Sequence, residues 1–330
     1  MKATAHSAPA VARRARVVTL QPWRPLIALA FEGLSEEQKE LKSVMAYDAT
    51  GVALFERLCE QPEYYLGRAE SLLLERHAAQ ISDWIGSQAA ILEYGPSTAR
   101  RTSYLLDALH DPFAYLAIGV CEQQLERTCA DLQRRYRALP IEGLCQDFRQ
   151  FVTTPTSLYR ARRHVAYFGG SMLGGYGPLE AVELLSSIRE TTGPDGGLLI
   201  GIDLLKQPAI LERAYNDAAG VAAALNRNVL ARLNRELDGT FDLDAFQHSA
   251  VWDEAGQRIE ISLVSLRTQV PCIAGIGVPL AASEAIRTNH APKFTPEGFA
   301  ALAHAAGWVV RHAWTEPQNQ YSLLYLEGIE

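Results

Sequence analysis

Aromatic side chains gather near the beginning of the chain, in the segment YDATGVALFERLCEQPEYYLGRAE. It contains Tyr47, Phe55, Tyr64 and Tyr65, and a further tyrosine, Tyr176, lies in a glycine-rich turn, GGSMLGGYGP. The face of an aromatic ring is electronegative, so several rings around a dry pocket attract a positively charged ligand. Packing in a core, with the hydroxyl in water, is an equally open interpretation of each tyrosine.

A predicted strand-to-helix turn is a second candidate for chemistry. Glu93, Gly95 and Thr98 lie where a missing Cβ lets a ligand approach the backbone and where a helix N-terminus offers free N–H groups. A tight turn also needs glycine for purely structural reasons. Asp147, at the end of IEGLCQDF, could accept a hydrogen bond from an adenine amino group or could simply be solvated.

The sequence lacks the patterns of a metal site or a covalent nucleophile. Its histidines and carboxylates show no H-x-x-x-H, H-E-x-x-H or nucleophile-elbow spacing. Its five cysteines include no C-x-x-C pair, so we interpret them as reduced thiols. We predict no metal and no covalent intermediate. Asn216 and Asp217, in AYNDAAG, are either polar pocket residues or helix caps.

A helical segment precedes any predicted strand. Ser35 and Gln38 fit a capping box, and apolar residues follow at helical spacing, namely Leu41, Val44 and Met45. Residues 51–60 and 67–85 repeat that spacing. We therefore expect the first eighty or so residues to form a helical lobe.

Strands and helices then alternate along the chain. Short buried runs, each followed by a helical pattern or a turn, are AAILEYG, AYLAIGV, IEGLCQDF, HVAYFGG and GGLLIGIDLL. Parallel strands separated by helices predict an α/β fold with a doubly wound sheet. Its ligand should bind outside the carboxyl ends of the strands, where the strand order reverses.

The alternation breaks after Leu205. A helical insertion and a hairpin turning at residues 253–256 predict a second, α+β lobe, and a helix with two antiparallel strands, VVRHAW and YSLLYLE, ends the chain. The predicted organisation is a mobile leader (1–20), the helical part of a substrate lobe (21–80), a ligand-binding α/β fold (81–205 with 296–330) and an inserted substrate lobe (206–295).

Composition points to a globular protein acting on a small molecule. Of 330 residues, 48% are hydrophobic and 21% charged, which excludes a disordered or fibrous chain. The formal charge of −7 argues against nucleic acid, whose binding depends on clustered lysine and arginine. Neither a signal peptide nor a membrane span is evident, so we expect a cytoplasmic protein. The sequence leaves its oligomeric state open.

Together the motifs resemble the histidine-specific, S-adenosylmethionine-dependent methyltransferase family. The similarity covers Tyr47 to Leu326 and rests on YDATG, QPEYYLGRAE, ILEYGPST, FGGSMLG, GIDLLKQP, AYNDAAGVAAALNRNVLARLNREL, DAFQH and RIEISL. It implies the Rossmann-like methyltransferase sheet closed by an antiparallel hairpin, with S-adenosylmethionine as cofactor.

The resemblance also implies roles for particular residues. The expected cofactor cradle, with the turn residues above, consists of Gly95, Arg101, Gly119, Asp147, Phe148 and Gly169. The expected acceptor pocket, where this sequence agrees with the family, consists of Tyr47, Phe55, Tyr64 and Tyr215.

The sequence departs from the family where histidine would be held. Gly175 replaces the asparagine that binds the amino acid's amine and carboxylate, and the T-E-x-S-x-K motif for the imidazole has Asn289 and Ala291 instead of its glutamate and serine. The acidic residue for the cofactor ribose is Gly119 here, unless Glu122 substitutes for it. Each lost hydrogen bond removes about 1–3 kcal/mol of recognition, which predicts that histidine is a poor acceptor.

Two enzymatic hypotheses remain, and the first of them is favoured. In one, the cofactor's own amine attacks its γ carbon, giving azetidine-2-carboxylate and methylthioadenosine, a reaction of the azetidine-2-carboxylate synthases that this chain also resembles. Tyr176 and its aromatic neighbours would hold the sulfonium, and Gly175 would leave room for the bent chain. In the other, the enzyme is an N-methyltransferase acting on a small amine other than histidine. A third hypothesis is an inactive cofactor-binding protein.

Overall fold

The computed structural model describes residues 15–19, 26–96 and 98–329. Its strands are β1 (Arg16–Thr19), β2 (Ala89–Tyr94), β3 (Ala114–Gly119), β4 (Ile141–Cys145), β5 (Arg163–Phe168), β6 (Gly197–Asp203), β7 (Phe246–Asp253), β8 (Arg258–Ser265), β9 (Cys272–Ile273), β10 (Ile276–Gly277), β11 (Ala285–Pro292), β12 (Trp308–Thr315) and β13 (Tyr321–Gly328). Its α-helices are α1 (Leu26–Leu34), α2 (Ala49–Cys59), α3 (Leu66–Ile85), α4 (Ala99–Ala108), α5 (Glu122–Arg135), α6 (Pro178–Thr192), α7 (Pro208–Tyr215), α8 (Val221–Glu236) and α9 (Pro296–Ala305).

The main sheet has the order β1-β4-β3-β2-β5-β6-β13-β12. Strands β1 to β6 pair in parallel, while β13 runs antiparallel to β6 and β12 antiparallel to β13. Every residue of β2, β3 and β6 is buried, as expected for strands covered by helices on both faces. The predicted Rossmann-like methyltransferase fold with an antiparallel terminal hairpin is therefore confirmed.

The strand order fixes where a ligand can enter. Strand β2 has β3 on one side and β5 on the other, so the connections leaving β2 and β5 run to opposite halves of the sheet. A crevice opens at such a switch point, outside the carboxyl ends of the strands. The turns after β2, β3, β4 and β5 therefore face the same space.

A second lobe stands over that edge of the sheet. Helices α1 and α8 pack with a three-stranded sheet of order β11-β8-β7 and share with it a core that includes Leu29, Leu41, Leu230 and Leu263, while α2 packs on α8. The predicted hairpin joins β7 to β8, where Asp253 pairs with Arg258. Residues 21–80 were expected to form the helical part of the substrate lobe. Helix α3 does not follow this expectation, because its apolar face packs on the main sheet instead of within this lobe.

The structure corrects two expectations about the first part of the chain. Part of the predicted mobile leader forms strand β1, which pairs with β4. The strand fits there because Gly143 has no side chain, so that Val17 can pack against it. Residues 1–14 and 20 of the predicted leader lie outside the described residues. The capping box at Ser35 starts no helix. Helix α1 ends there, and the backbone of Leu41 instead donates a 2.7 Å hydrogen bond to the carbonyl of Arg287 beside β11.

No helix among the described residues is both long and apolar enough to cross a membrane.

Candidate active site

The turn after β2 has the shape of a ligand cradle. Gly95 has φ +64°, and a Cβ there would collide with the side chain of Met172. Thr98 caps α4 by accepting a 3.3 Å hydrogen bond from the backbone N–H of Arg101. The turn therefore requires glycine, and it leads into the N-terminus of α4.

A cavity of about 290 Å³ lies between the carboxyl ends of the strands and the second lobe. It is lined by many of the residues predicted from the sequence: Gly95, Gly119 and Phe148 on the sheet side, Gly175 and Tyr176 after β5, and Tyr47, Phe55, Tyr64, Tyr215 and Asn289 on the lobe side. The fold thus brings the predicted cofactor turns and the predicted aromatic pocket to one space.

Four rings form a continuous row along the lobe side of the cavity. The centroid of Tyr47 lies 5.8 Å from that of Phe55, Phe55 lies 6.2 Å from Tyr64, and Tyr64 lies 6.0 Å from Tyr215. All three contacts are edge-to-face, a favourable geometry for aromatic pairs. Burial raises the pKa of the Tyr47, Tyr64 and Tyr215 phenols, so these hydroxyls are neutral at pH 7.

A buried charge cluster holds the end of this aromatic row. The Lys293 ammonium donates a 3.0 Å hydrogen bond to the Tyr215 hydroxyl and lies 2.7 Å from Asp203 Oδ2. Asp203 Oδ1 accepts from the Tyr65 hydroxyl at 2.7 Å and from Lys206 at 2.5 Å. Two buried lysines thus share the Asp203 carboxylate behind Tyr215. Asp203 and Lys293 each lie in a family motif, GIDLLKQP for Asp203, but neither was predicted from the sequence to have a role in the site.

Glu93 does not line the cavity. It is 3% exposed and accepts hydrogen bonds from the Thr102 and Tyr115 hydroxyls, at 2.7 and 2.8 Å. Burial raises its pKa to about 7, against which these two hydrogen bonds act. The sequence predicted that Glu93 would contact the cofactor directly. In the structure its carboxylate instead connects β2 to β3 and α4 through these two hydrogen bonds.

Arg101 and Gly169 meet around a carboxylate that sequence reasoning missed. Arg101 Nη1 lies 3.4 Å from Glu70 Oε2, and the other Glu70 oxygen accepts from the Gly170 N–H at 2.9 Å and the Tyr321 hydroxyl at 3.0 Å. A Cβ on Gly169 would lie 2.7 Å from Glu70 Oε1. Gly169 is thus small because Glu70 packs against it, and neither Arg101 nor Gly169 lines the cavity.

In the turn after β4, Phe148 lines the cavity and Asp147 does not. The ring of Phe148 lines the cavity and packs edge-to-face on Tyr94 and Phe168. Asp147 accepts hydrogen bonds from Arg149 Nε at 2.9 and 3.0 Å and does not line the cavity itself. Arg149 lines it instead.

The turn after β3 has no acidic residue facing the cavity. Gly119 lines it, whereas Glu122 accepts a 3.0 Å hydrogen bond from the Thr19 hydroxyl at the β1 side. The described lining includes Gln124, one helical turn into α5. Glu122 therefore does not occupy the position of the ribose-binding acid.

Asn216 is not a pocket residue. Its side chain is exposed and donates to the carbonyls of Glu212 and Ala250, both at 2.8 Å, while the neighbouring Asp217 accepts from the N–H groups of Val221 and Ala222. Of the two interpretations that the sequence left open, the capping role fits this geometry.

Open space surrounds Gly175. A Cβ there would have Ser43 Oγ at 3.6 Å and Asn289 Oδ1 at 3.8 Å as its nearest neighbours. Asn289 Oδ1 accepts from the backbone N–H of His290 at 2.9 Å. Ala291, on the same strand, also lines the cavity. The two atoms nearest to this position therefore belong to polar side chains, those of Ser43 and Asn289, whereas Ala291 adds no polar side-chain atom.

A family model for histidine-specific, SAM-dependent methyltransferases matches residues 27–328. The chain belongs to this family. A histidine N-alpha-methyltransferase of Mycolicibacterium smegmatis is 36% identical over 296 residues, which are 88% of this chain and 91% of the relative. A 4-dimethylallyltryptophan N-methyltransferase of Epichloe festucae var. lolii is 24% identical over 314 residues, 88% of this chain and 91% of the relative.

A solved Burkholderia thailandensis 1,6-didemethyltoxoflavin-N1-methyltransferase is also similar, with 13% identity and a TM-score of 0.45 over 85% of this chain and 89% of that one.

Membership in this methyltransferase family makes the chain an S-adenosylmethionine-dependent enzyme. The residues fit that cofactor, because Gly95, with its positive φ, and Gly119 bring backbone without a Cβ to the cavity wall, while Phe148 adds an apolar ring to the lining. Aromatic rings beyond the turns suit a sulfonium, whose charge they attract without a hydrogen bond.

Proposed function

We propose that the enzyme converts S-adenosylmethionine itself into azetidine-2-carboxylate and methylthioadenosine. In this reaction the lone pair of the substrate's α-amine attacks its γ carbon. The bond between that carbon and sulfur breaks, and its electron pair returns to sulfur as a neutral thioether. The ring nitrogen then loses one proton, so no co-reactant is required.

The observation that supports this proposal most strongly is the corner around Gly175. A Cβ would fit there, with Ser43 Oγ at 3.6 Å and Asn289 Oδ1 at 3.8 Å, yet this chain has glycine where the family has an asparagine to hold a separate amino acid. The Oδ1 atom of Asn289 already accepts a hydrogen bond from the backbone N–H of His290, and Ala291 has no polar atom in its side chain. A histidine placed at this corner would lack the partners that the family's asparagine, glutamate and serine provide, at a cost of about 1–3 kcal/mol for each lost hydrogen bond.

The aromatic lining suits a cyclisation. The row of Tyr47, Phe55, Tyr64 and Tyr215, together with Tyr176, lines the cavity with aromatic rings and neutral phenols that suit a sulfonium. Apolar walls exclude water that would otherwise hydrolyse the activated γ carbon.

N-methyl transfer to a small amine is the second candidate. It is favoured by the two relatives described above, both of which are named as N-methyltransferases, one at 36% identity. In this case the methyl group leaves sulfur for an acceptor nitrogen held in line, with positioning supplying most of the rate.

The fate of the methyl group separates the two reactions. The enzyme would be incubated with methyl-deuterated S-adenosylmethionine and a panel of small amines, including histidine, and the products would be examined by mass spectrometry. Cyclisation predicts that all enzyme-dependent deuterium is recovered in methylthioadenosine. Deuterium in an N-methylated amine, with S-adenosylhomocysteine as co-product, would replace the proposal with methyl transfer.

A further inference from the structure

Asn226, in α8, has an orientation fixed by its neighbours. Its side chain is 7% exposed and lines the cavity. Its amide nitrogen lies 3.0 Å from the carbonyl oxygen of Ser262 and 2.9 Å from Nδ1 of His248. Because a backbone carbonyl can only accept, the atom facing Ser262 has to be the nitrogen of the amide.

The tautomer of His248 follows from the same reasoning. Its Nε2 lies 2.9 Å from the carbonyl oxygen of Tyr215, so Nε2 bears the hydrogen. Nδ1 is then the acceptor of the second Asn226 N–H. Burial lowers the pKa of His248, which keeps the ring neutral and preserves this arrangement.

One polar atom of this network is left over. Both hydrogens of the Asn226 amide are used, by Ser262 and His248, and within the described part of the chain Asn226 Oδ1 accepts no hydrogen bond. Because Asn226 lines the cavity, this oxygen is an acceptor for a bound ligand. We propose that Asn226 Oδ1 accepts a hydrogen bond from an N–H of the reacting amine and that His248 holds the Asn226 side chain in position. This inference rests on the proposed function, in which an amine reacts.

An amide oxygen suits a nucleophilic amine. By accepting one N–H it orients the nitrogen and leaves the lone pair free to attack. A carboxylate in the same place would instead favour the protonated ammonium, which has no lone pair. The site therefore suits a primary or secondary amine, whether that amine belongs to S-adenosylmethionine itself or to a separate acceptor.

The test uses Asn226→Ala with a matched control, Asn228→Ala. Asn228 lies on the same helix, is 5% exposed, and donates through its own amide nitrogen to the Ala46 carbonyl at 2.9 Å and to Asp48 Oδ1 at 2.8 Å. It does not line the cavity, so it reports on the loss of a buried asparagine alone. Thermal unfolding establishes that both variants fold.

Calorimetry would compare two pairs of probes that differ only in an amine. The first pair is S-adenosylhomocysteine and its analogue with the amine replaced by hydrogen. The second pair, added to protein saturated with S-adenosylhomocysteine, is histidine and imidazolepropionate. We expect the unaltered protein and Asn228→Ala to bind S-adenosylhomocysteine about tenfold more tightly than its analogue without the amine. In Asn226→Ala this difference in affinity should fall to about twofold or less.

Each outcome decides the proposal. Loss of the preference in the first pair supports binding of the cofactor's own amine. Loss in the second pair alone supports Asn226 as an amine site for a separate acceptor and removes the cyclisation, so the two proposals fail independently. An amine preference in neither pair, or equal effects of the Asn226 and Asn228 variants on both pairs, would overturn the role of Asn226.

Discussion

Tyr176 is the residue whose proposed role depends on its ring. It lines the cavity between Gly175 and the start of α6, next to the proposed sulfonium site. An aromatic face stabilises a desolvated cation by about 0.5–2 kcal/mol. Tyr176→Phe should therefore keep turnover within about threefold, whereas Tyr176→Leu should lower kcat about tenfold.

Steady-state kinetics on S-adenosylmethionine would measure both effects. Tyr159→Leu is the control, because that tyrosine is 62% exposed and lies away from the cavity. Equal losses in the Phe and Leu variants would mean that the hydroxyl of Tyr176, and not its ring, is required.

The corner at Gly175 predicts a gain of function. Restoring the family's polar groups, with Gly175→Asn, Asn289→Glu and Ala291→Ser together, should let histidine bind at least tenfold more tightly to protein saturated with S-adenosylhomocysteine. The control replaces Gly175→Asn by Gly175→Ala, which fills space without adding a polar group. Calorimetry that finds tight histidine binding in the unaltered protein would contradict the loss of this pocket.

At the scale of elements, the cluster around Asp203 joins the end of β6 to β11, α3 and α7. Asp203 and Lys293 are fully buried, and the carboxylate is the acidic partner of both lysines. Removing one member of a buried ion pair costs about 3–5 kcal/mol, because the other charge stays buried. Asp203→Asn should therefore lower the free energy of unfolding by about that amount.

Chemical denaturation would test this prediction against Asp217→Asn. Asp217 is also buried, but it accepts two backbone N–H groups of α8, a role that asparagine fills at a cost of about 1 kcal/mol or less. Similar destabilisation by both variants would show that the lysines do not depend on Asp203.

Elements with strong periodicity could be predicted from the sequence, and those defined by distant contacts could not. The apolar runs gave strands β2 to β6 and the closing hairpin, because strands buried on both faces have continuous apolar sequences. Strand β1 depends on Gly143, which lies far along the chain, and residues 40–41 are extended because they bridge to Arg287. Neither partner is visible in a local pattern.

The site shows the same division. The aromatic row and the turns at Gly95 and Gly119 were predicted, because their residue types suggest chemistry and match family motifs. Asn226 has an ordinary place in an amphipathic helix, and only its contacts with Ser262 and His248 show that an acceptor atom remains for a ligand.

For the whole molecule, stability should depend on pH through Glu93. Its pKa is about 7 in the folded protein, because burial raises it from the ordinary 4.5. Between these values the unfolded chain releases a proton that the folded protein keeps, so stability present at acid pH is lost as the pH rises from about 4.5 to 7. The shift corresponds to about 3 kcal/mol.

Glu93→Gln removes this titration while keeping an acceptor for Thr102 and Tyr115. Relative to the unaltered protein, the variant should gain stability by up to about 3 kcal/mol between pH 4.5 and 8, as measured by denaturant unfolding at each pH. Glu190→Gln, at an exposed position, is the control. A difference that does not change with pH would contradict the buried, protonated state of Glu93.

The most direct test of the proposed reaction is incubation of the purified protein with S-adenosylmethionine alone, followed by mass spectrometry of the products against a control without enzyme. Cyclisation predicts enzyme-dependent methylthioadenosine and an equal amount of azetidine-2-carboxylate. An intact cofactor under these conditions would contradict cyclisation and leave methyl transfer to an added amine, or binding without turnover, as the function of the chain.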